Sequence, residues 1–262
     1  MIRSLFSAAT GMKAQELNID VISNNLANVN TTSYKGSRAE FQDLVYQALL
    51  EPGASTSSST ISPAGIQVGL GVKPTSVQKI FTQGDLTSTG NQLDVAIEGD
   101  GFFQITLPDG STAYSRAGSF QLDQNGQIVT PDGFAVDPSI SVPTDALSIA
   151  IGQDGTVTAT IPGTTTPSNL GQITGVRFPN SAGLKAIGQN LYTETESSGS
   201  PTTGIFGEDG LGRLNQGFLE SSNVSVVEQV VNMITAQRAY EANSKSIQTA
   251  DDMINQAINM KR

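Results

Sequence analysis

Residues 226–257 read VVEQVVNMITAQRAYEANSKSIQTADDMINQA, and their apolar side chains keep a seven-residue beat. Val226, Met233, Tyr240, Ile247 and Ile254 fall seven apart, while Ala236, Ala250 and Ala257 follow three residues after their neighbours. Such a repeat predicts a long helix whose narrow apolar seam follows a partner helix in a left-handed supercoil. Ser222 and Asn223 are candidate caps, and Glu228 lies three residues after Ser225 in capping-box spacing. Asn243 takes a seam position, where a polar side chain fixes register at some cost in stability.

The opposite end carries a matching half. Within residues 3–28, Leu5, Met12, Ile19 and Leu26 keep the same spacing, with Ala8 and Ile22 beside them. Both seams need a partner, and the simplest is each other, in one subunit or between neighbours. Ser23-Asn24-Asn25-Leu26-Ala27-Asn28-Val29-Asn30 closes the first helix, because Asn tolerates left-handed backbone and competes for backbone hydrogen bonds. A turn through Thr31, Thr32 and Ser33 is expected next, then a short helical piece from Ala39 to Leu50. Glu51-Pro52-Gly53 stops regular structure. The Ser/Thr-rich stretch Ser55–Ser62 with Pro63 reads as an extended connector, floppy by composition.

From about Val72 to Gly217 the chain reads as β. Leu93–Ile97 and Gln104–Leu107 alternate with period two, and tight-turn dipeptides recur at Asp109-Gly110, Asn125-Gly126, Asp132-Gly133 and Asp154-Gly155. Asp-Gly and Asn-Gly supply the positive φ angles of hairpins, so antiparallel meanders follow. The fold class expected is mainly β with α termini. Residues 1–45 and 218–262 form a discontinuous helical assembly domain, 46–72 a connector, and 73–217 a central antiparallel region that can divide in two.

Charge follows the same division. Residues 1–45 carry four basic and four acidic groups, 218–262 four and five, and 46–217 six and fifteen, within a total of −10. Neutral ends and an acidic middle suit subunits that pack by their ends while the middles face water. No basic stripe with interleaved aromatics appears, which argues against nucleic acid. No stretch approaches a membrane span, and no apolar run of signal length precedes Lys13, so neither membrane insertion nor a cleaved secretion signal is expected.

The chain has no His and no Cys. That removes the commonest general base, the commonest transition-metal ligand and thiolate chemistry. No Walker loop, GxGxxG, GxSxG, zinc or EF-hand spacing occurs. Gly99-Asp100-Gly101 lacks a third glycine, Asp123-Gln124-Asn125-Gly126 lacks downstream calcium ligands, and Ser76-Val77-Gln78-Lys79 lacks the companion motifs of a serine nucleophile. No catalysis, cofactor or metal is expected. A carbohydrate-binding or carbohydrate-cleaving β-domain on oligomerising helices is the competing class, and it lacks a convincing carboxylate pair.

Specific motifs sharpen this picture. Ser23–Thr31 followed by Tyr34-Lys35 resembles the N-terminal motif of bacterial flagellar rod and hook proteins, within which Asn24, Asn25, Leu26, Ala27, Asn28, Asn30 and Thr31 carry the match. Asn215-Gln216-Gly217-Phe218-Leu219-Glu220-Ser221-Ser222-Asn223-Val224 is similar to the C-terminal entry motif, and Met233–Glu241 to the helix that follows it. Between them, Asp94–Ile97, Gly99-Asp100-Gly101-Phe102-Phe103 and Arg116-Ala117-Gly118-Ser119-Phe120 resemble the central signatures. Ser33 departs from the family pattern, which has Gly there.

The resemblance implies a structural subunit of the flagellar basal body that self-assembles into a straight helical tube, carries motor torque to the hook and encloses the export channel. The stretch Tyr46–Pro63 favours the distal rod, with the hook protein as the alternative. Implied partners are further copies of the chain, proximal rod and hook proteins, the surrounding rings and the type III export apparatus. Both terminal helices have narrow seams and several helix-weakening residues, so they are expected to be disordered in the dilute monomer and to fold on assembly.

Overall fold

The computed structural model describes residues 2–53, 64–163 and 166–260. They form a mostly antiparallel β chain with one helix at each end, α1 (Ile2–Ala27) and α2 (Val226–Asn259). The chain divides into two units, one of residues 1–27, 37–79 and 225–262, the other of residues 28–36 and 80–224. These boundaries differ from those read in the sequence. The stretches 28–36 and 218–224 belong with the β unit, and 37–79 belongs with the helices.

In the helical unit, α1 and α2 run antiparallel. The Asn25 amide donates to Gln229 Oε1 at 3.4 Å, and Gly11 lies against Asn243. The two contacts are separated by the same two heptads in each helix, so the register holds along the pair. A two-stranded ribbon completes the unit. Ser37–Asp43 pairs with Val72–Lys79, the Leu44 N–H donates to Gly71 O, and Tyr46–Leu50 then pairs with Ile66–Gly69. Pro74, with no amide proton to give, stands opposite Phe41 beside the bulge at Glu40/Phe41.

This ribbon corrects the helical expectation for Ala39–Leu50. Those residues take ladder hydrogen bonds from 66–79, a segment remote in sequence whose Ile66, Val68, Val72 and Val77 favour strands. The connector expected over 46–72 is likewise built of strands at both flanks, while Ser55–Ser62 and Pro63 lie outside the described residues.

In the β unit, the largest sheet runs in the order Lys185–Gly188, Leu191–Thr193, Thr112–Ser115, Phe102–Thr106, Ala135–Asp137, Ile128–Val129, Gln121–Leu122. Ser148–Ile151, Thr156–Thr160 and Ser168–Gln172 make a three-stranded meander. Hairpins close at the predicted dipeptides, with Gly110, Gly126, Gly133 and Gly155 all at positive φ. The turn carboxylates hold these turns. Asp109 accepts from the Ser111 N–H at 2.9 Å, Asp123 from Asn125 and Gln127 N–H at 2.8 Å each, and Asp154 from Thr156 N–H at 3.1 Å. The main core gathers Val95, Ile97, Phe103, Ile105, Phe120 and Phe206 among others, and a second cluster sets Phe102 among Tyr114, Phe178 and Tyr192. Adjacent Phe102 and Phe103 thus serve opposite faces of one strand.

Candidate assembly interface

The helix seam is tighter than the heptad reading alone indicates. On α2, Ala236 and Ala250 are buried and Met233, Asn243, Ile247 and Ile254 are half-buried. On α1, Ile22 is buried, and Leu5, Met12, Ile19 and Leu26 are half-buried. Its most enclosed positions also include Ala8, Ala14, Val21 and Asn25. A small residue marks the close approach to α2, where Gly11 lies against Asn243. The available signal is Ala8, Gly11 and Ala14 at three-residue spacing. α1 is also covered on a second side by the ribbon, where Val72 N–H donates to Thr10 Oγ1 at 3.3 Å.

Val226 and Tyr240 do not face α1 within the single chain and are exposed. Residues seven apart drift by about 20° per heptad around a straight helix. Val226, at the end of the line, has turned outward, and Ala239 takes the inward place beside Tyr240. The outer side of α2 is apolar as well, with Val227 75% exposed and Val230, Val231 and Ile234 beside it.

Neither expected cap acts as one. The N-cap of α2 is Ser225, without a side-chain cap hydrogen bond. Asn223 instead accepts from Gly36 N–H at 2.8 Å and donates to Ile80 O at 2.8 Å, and Ser222 Oγ accepts from Val224 N–H at 3.3 Å.

The flagged motif residues divide between local and long-range work. Asn25 pairs with the Ser37 backbone as a strand would, accepting from its N–H and donating to its C=O, both at 2.8 Å. Asn28 and Thr31 build a turn, with Thr31 N–H donating to Asn28 O at 3.1 Å. Asn24, Ala27 and Asn30 are exposed and Val224 is half-buried. Gly217, at φ 78°, donates its N–H to Asp94 O at 2.7 Å.

Glu220 is the centre of the β unit's polar interior. Its carboxylate accepts from Lys35 Nζ at 2.7 Å, Arg116 Nε at 3.0 Å and Gly84 N–H at 2.9 Å. The three side chains are 0%, 3% and 0% exposed for Lys35, Arg116 and Glu220. Arg116 also donates to Gly99 O at 2.8 Å and Gly101 O at 3.0 Å, and Lys35 to Thr82 O at 2.7 Å. Gly99 and Gly101, at φ 112° and 138°, give the turn a path that aims both carbonyls at the guanidinium. Ser33, at φ 56°, donates its N–H to Glu220 O at 2.7 Å and its hydroxyl to Arg116 O at 3.0 Å. This is the left-handed turn that a Gly would enter freely.

Burial pushes Lys35 below its ordinary 10.5, and Arg116 pushes it further against the pull of Glu220. Burial raises Glu220, but the Arg116 and Lys35 charges with their hydrogen bonds outweigh it and hold the carboxyl below its usual 4.5. Lys35 and Arg116 lay within recognised motifs, yet nothing in their spacing announced that they meet at Glu220. The arrangement holds segments together; it presents no nucleophile, no open metal position and no exposed acid–base pair. Among the described residues no helix is long and apolar enough to cross a membrane.

Comparison with known proteins matches this sequence to a family. The description "Flagella basal body rod protein" fits residues 5–35, "Flagellar hook protein FlgE/F/G D1 domain" residues 96–159, and "Flagellar basal body rod FlgEFG protein C-terminal" residues 215–260. The chain is 52% identical to flagellar basal-body rod protein FlgG of Buchnera aphidicola subsp. Schizaphis graminum, over 97% of this chain and 98% of that one. It is 52% identical to the protein of the same name from Borreliella burgdorferi over the full length of both. The flagellar hook protein FlgE of Helicobacter mustelae is 44% identical over 52% of this chain and 30% of its own.

Proposed function

The chain belongs to the flagellar basal-body rod protein family, and from that premise we propose that it is a structural subunit of the distal rod, polymerising into a straight helical tube. The observation that carries this reading is the apolar surface α2 keeps after pairing with α1. Val227, Val230, Val231 and Ile234 stay exposed along one side of a helix whose other side is already occupied. A helix apolar on two sides needs neighbours on both. Further copies of the chain supply the second.

In the tube, repeated helix contacts supply the stiffness that torque transmission needs, and the enclosed channel passes later export substrates. Proximal rod and hook proteins meet its two ends, and the basal-body rings surround it. The subunit reaches its place through the type III export apparatus, and its role requires no catalysis. Full-length similarity to rod proteins favours this over the hook, whose match spans about half the chain.

Immunogold microscopy of isolated hook–basal bodies, with antibody to residues 80–224, tests the assignment. Label on the straight segment between proximal rod and hook is expected. Label confined to the curved hook overturns the distal-rod reading in favour of the hook.

A further inference from the structure

We propose that the Lys35–Glu220–Arg116 cluster is a latch that makes closure of the N-terminal segment 28–36 conditional on the arrival of residues 218–223 near the other end of the chain. The cluster joins positions far apart in sequence, 185 residues between Lys35 and Glu220 and 104 between Arg116 and Glu220. Both cations contact Glu220, at 2.7 and 3.0 Å. Without it, two cations would share an interior that admits almost no water, a state strongly disfavoured.

The surrounding hydrogen bonds depend on the same two segments. Ser33 N–H reaches Glu220 O, Gly36 N–H reaches Asn223 Oδ1, and Gly84 N–H reaches Glu220 Oε1. Asn223 in turn donates to Ile80 O and Thr82 O at 2.8 and 3.2 Å. Segments 33–36 and 80–84 also bond each other, Ile80 N–H to Gly36 O at 2.8 Å and Lys35 Nζ to Thr82 O at 2.7 Å, and both take further partners from 220–223, while Phe102–Thr106 and Thr112–Ser115 pair with each other independently. The sheet can form first, and its polar base is completed, with both cations neutralised, only when the C-terminal entry segment has arrived.

For a chain that threads outward N-terminus first, which rests on the function proposed above, this keeps residues 28–36 unlatched until nearly all of it has emerged. The latch itself is a property of the free chain and is tested without assembly.

Hydrogen exchange with mass spectrometry on the full-length monomer compares wild type with Glu220→Gln. Peptides covering 28–36, 80–84 and 218–224 are expected to exchange together, about 100-fold faster or more, as befits the loss of one partner of a buried ion pair. Peptides covering 102–115 are expected to stay within about threefold of wild type. If Glu220→Gln does not fold, Lys35→Met removes one cation and leaves Arg116 paired with Glu220; loosening confined to 28–36 and 80–84 is then expected. In whichever of the two variants folds, uniform loss of protection across the unit, loosening of 218–224 alone, or unchanged protection of 28–36 overturns the proposal.

Discussion

Gly11 of α1 and Asn243 of α2 meet so closely that a β-carbon at residue 11 would stand 2.8 Å from the Asn243 amide nitrogen. A glycine in mid-helix weakens it by roughly 1 kcal/mol relative to alanine, and here the missing side chain is the space into which a polar seam residue fits. The clash at Gly11 falls on the mobile end of Asn243. Gly11→Ala is therefore expected to be tolerated, with a stability change within about 1 kcal/mol, whereas Gly11→Leu overfills the seam and costs about 1–3 kcal/mol. The amount of each variant in isolated basal bodies separates the two.

Met233→Asp and Ile247→Asp place a carboxylate on the half-buried side of α2. An unpaired charge there is costly enough to abolish packing. Incorporation into the rod is expected to fail while the β unit keeps its circular dichroism and melting transition. Normal incorporation of both variants would exclude the seam from assembly.

The helical pair is only two helices and a ribbon thick, so its stability alone is small. Amides of residues 5–26 are expected to exchange within seconds in the dilute monomer and to become protected in the polymer. Strong protection in the monomer would contradict folding on assembly.

Ser33 combines a left-handed backbone, costing roughly 1–2 kcal/mol, with a buried hydroxyl bond to Arg116 O. Ser33→Gly relieves the first and loses the second, for a small net change. Ser33→Ala loses the bond and keeps the strain, for a cost of about 1–3 kcal/mol. Denaturant unfolding of the full chain is expected to rank wild type and Gly above Ala.

Acid weakens the β unit through groups whose carboxyls are held low in the fold. Neighbouring cations hold Glu220 below 4.5 despite its burial, and hydrogen bonds within their turns hold Asp109, Asp123 and Asp154 below 3.8. Each binds a proton less readily folded than unfolded. Their contribution is therefore complete above about pH 4.5 and is lost as pH falls through the folded values. Melting temperature between pH 6 and 2.5 is expected to fall on the acid side, less steeply in Glu220→Gln.

The hairpins were legible because each is a local event: an Asp-Gly or Asn-Gly pair whose Gly takes positive φ announces a turn whichever strands flank it. The helices were legible because seven-residue spacing survives without tertiary information. The ribbon was not, because Ala39–Leu50 becomes strand only by pairing with 66–79, and neither half alternates cleanly enough to declare it. The seam was seen by its large residues, but spacing alone does not say which of them face the partner helix within the chain and which, like Val226 and Tyr240, stay exposed on it. Glu220 stood inside a recognised motif, but its two cations lie 185 and 104 residues away.

The paired hydrogen bonds between Asn25 and the Ser37 backbone have a mechanical consequence. They pin the end of α1 directly to the start of the ribbon, at both the N–H and the C=O of one residue. Tension passing along the chain from helix to ribbon therefore crosses this pinch and leaves residues 28–36 slack. A filament under tension can in this way keep a side excursion of its backbone out of the line of pull, and an amide side chain serves as the strain relief.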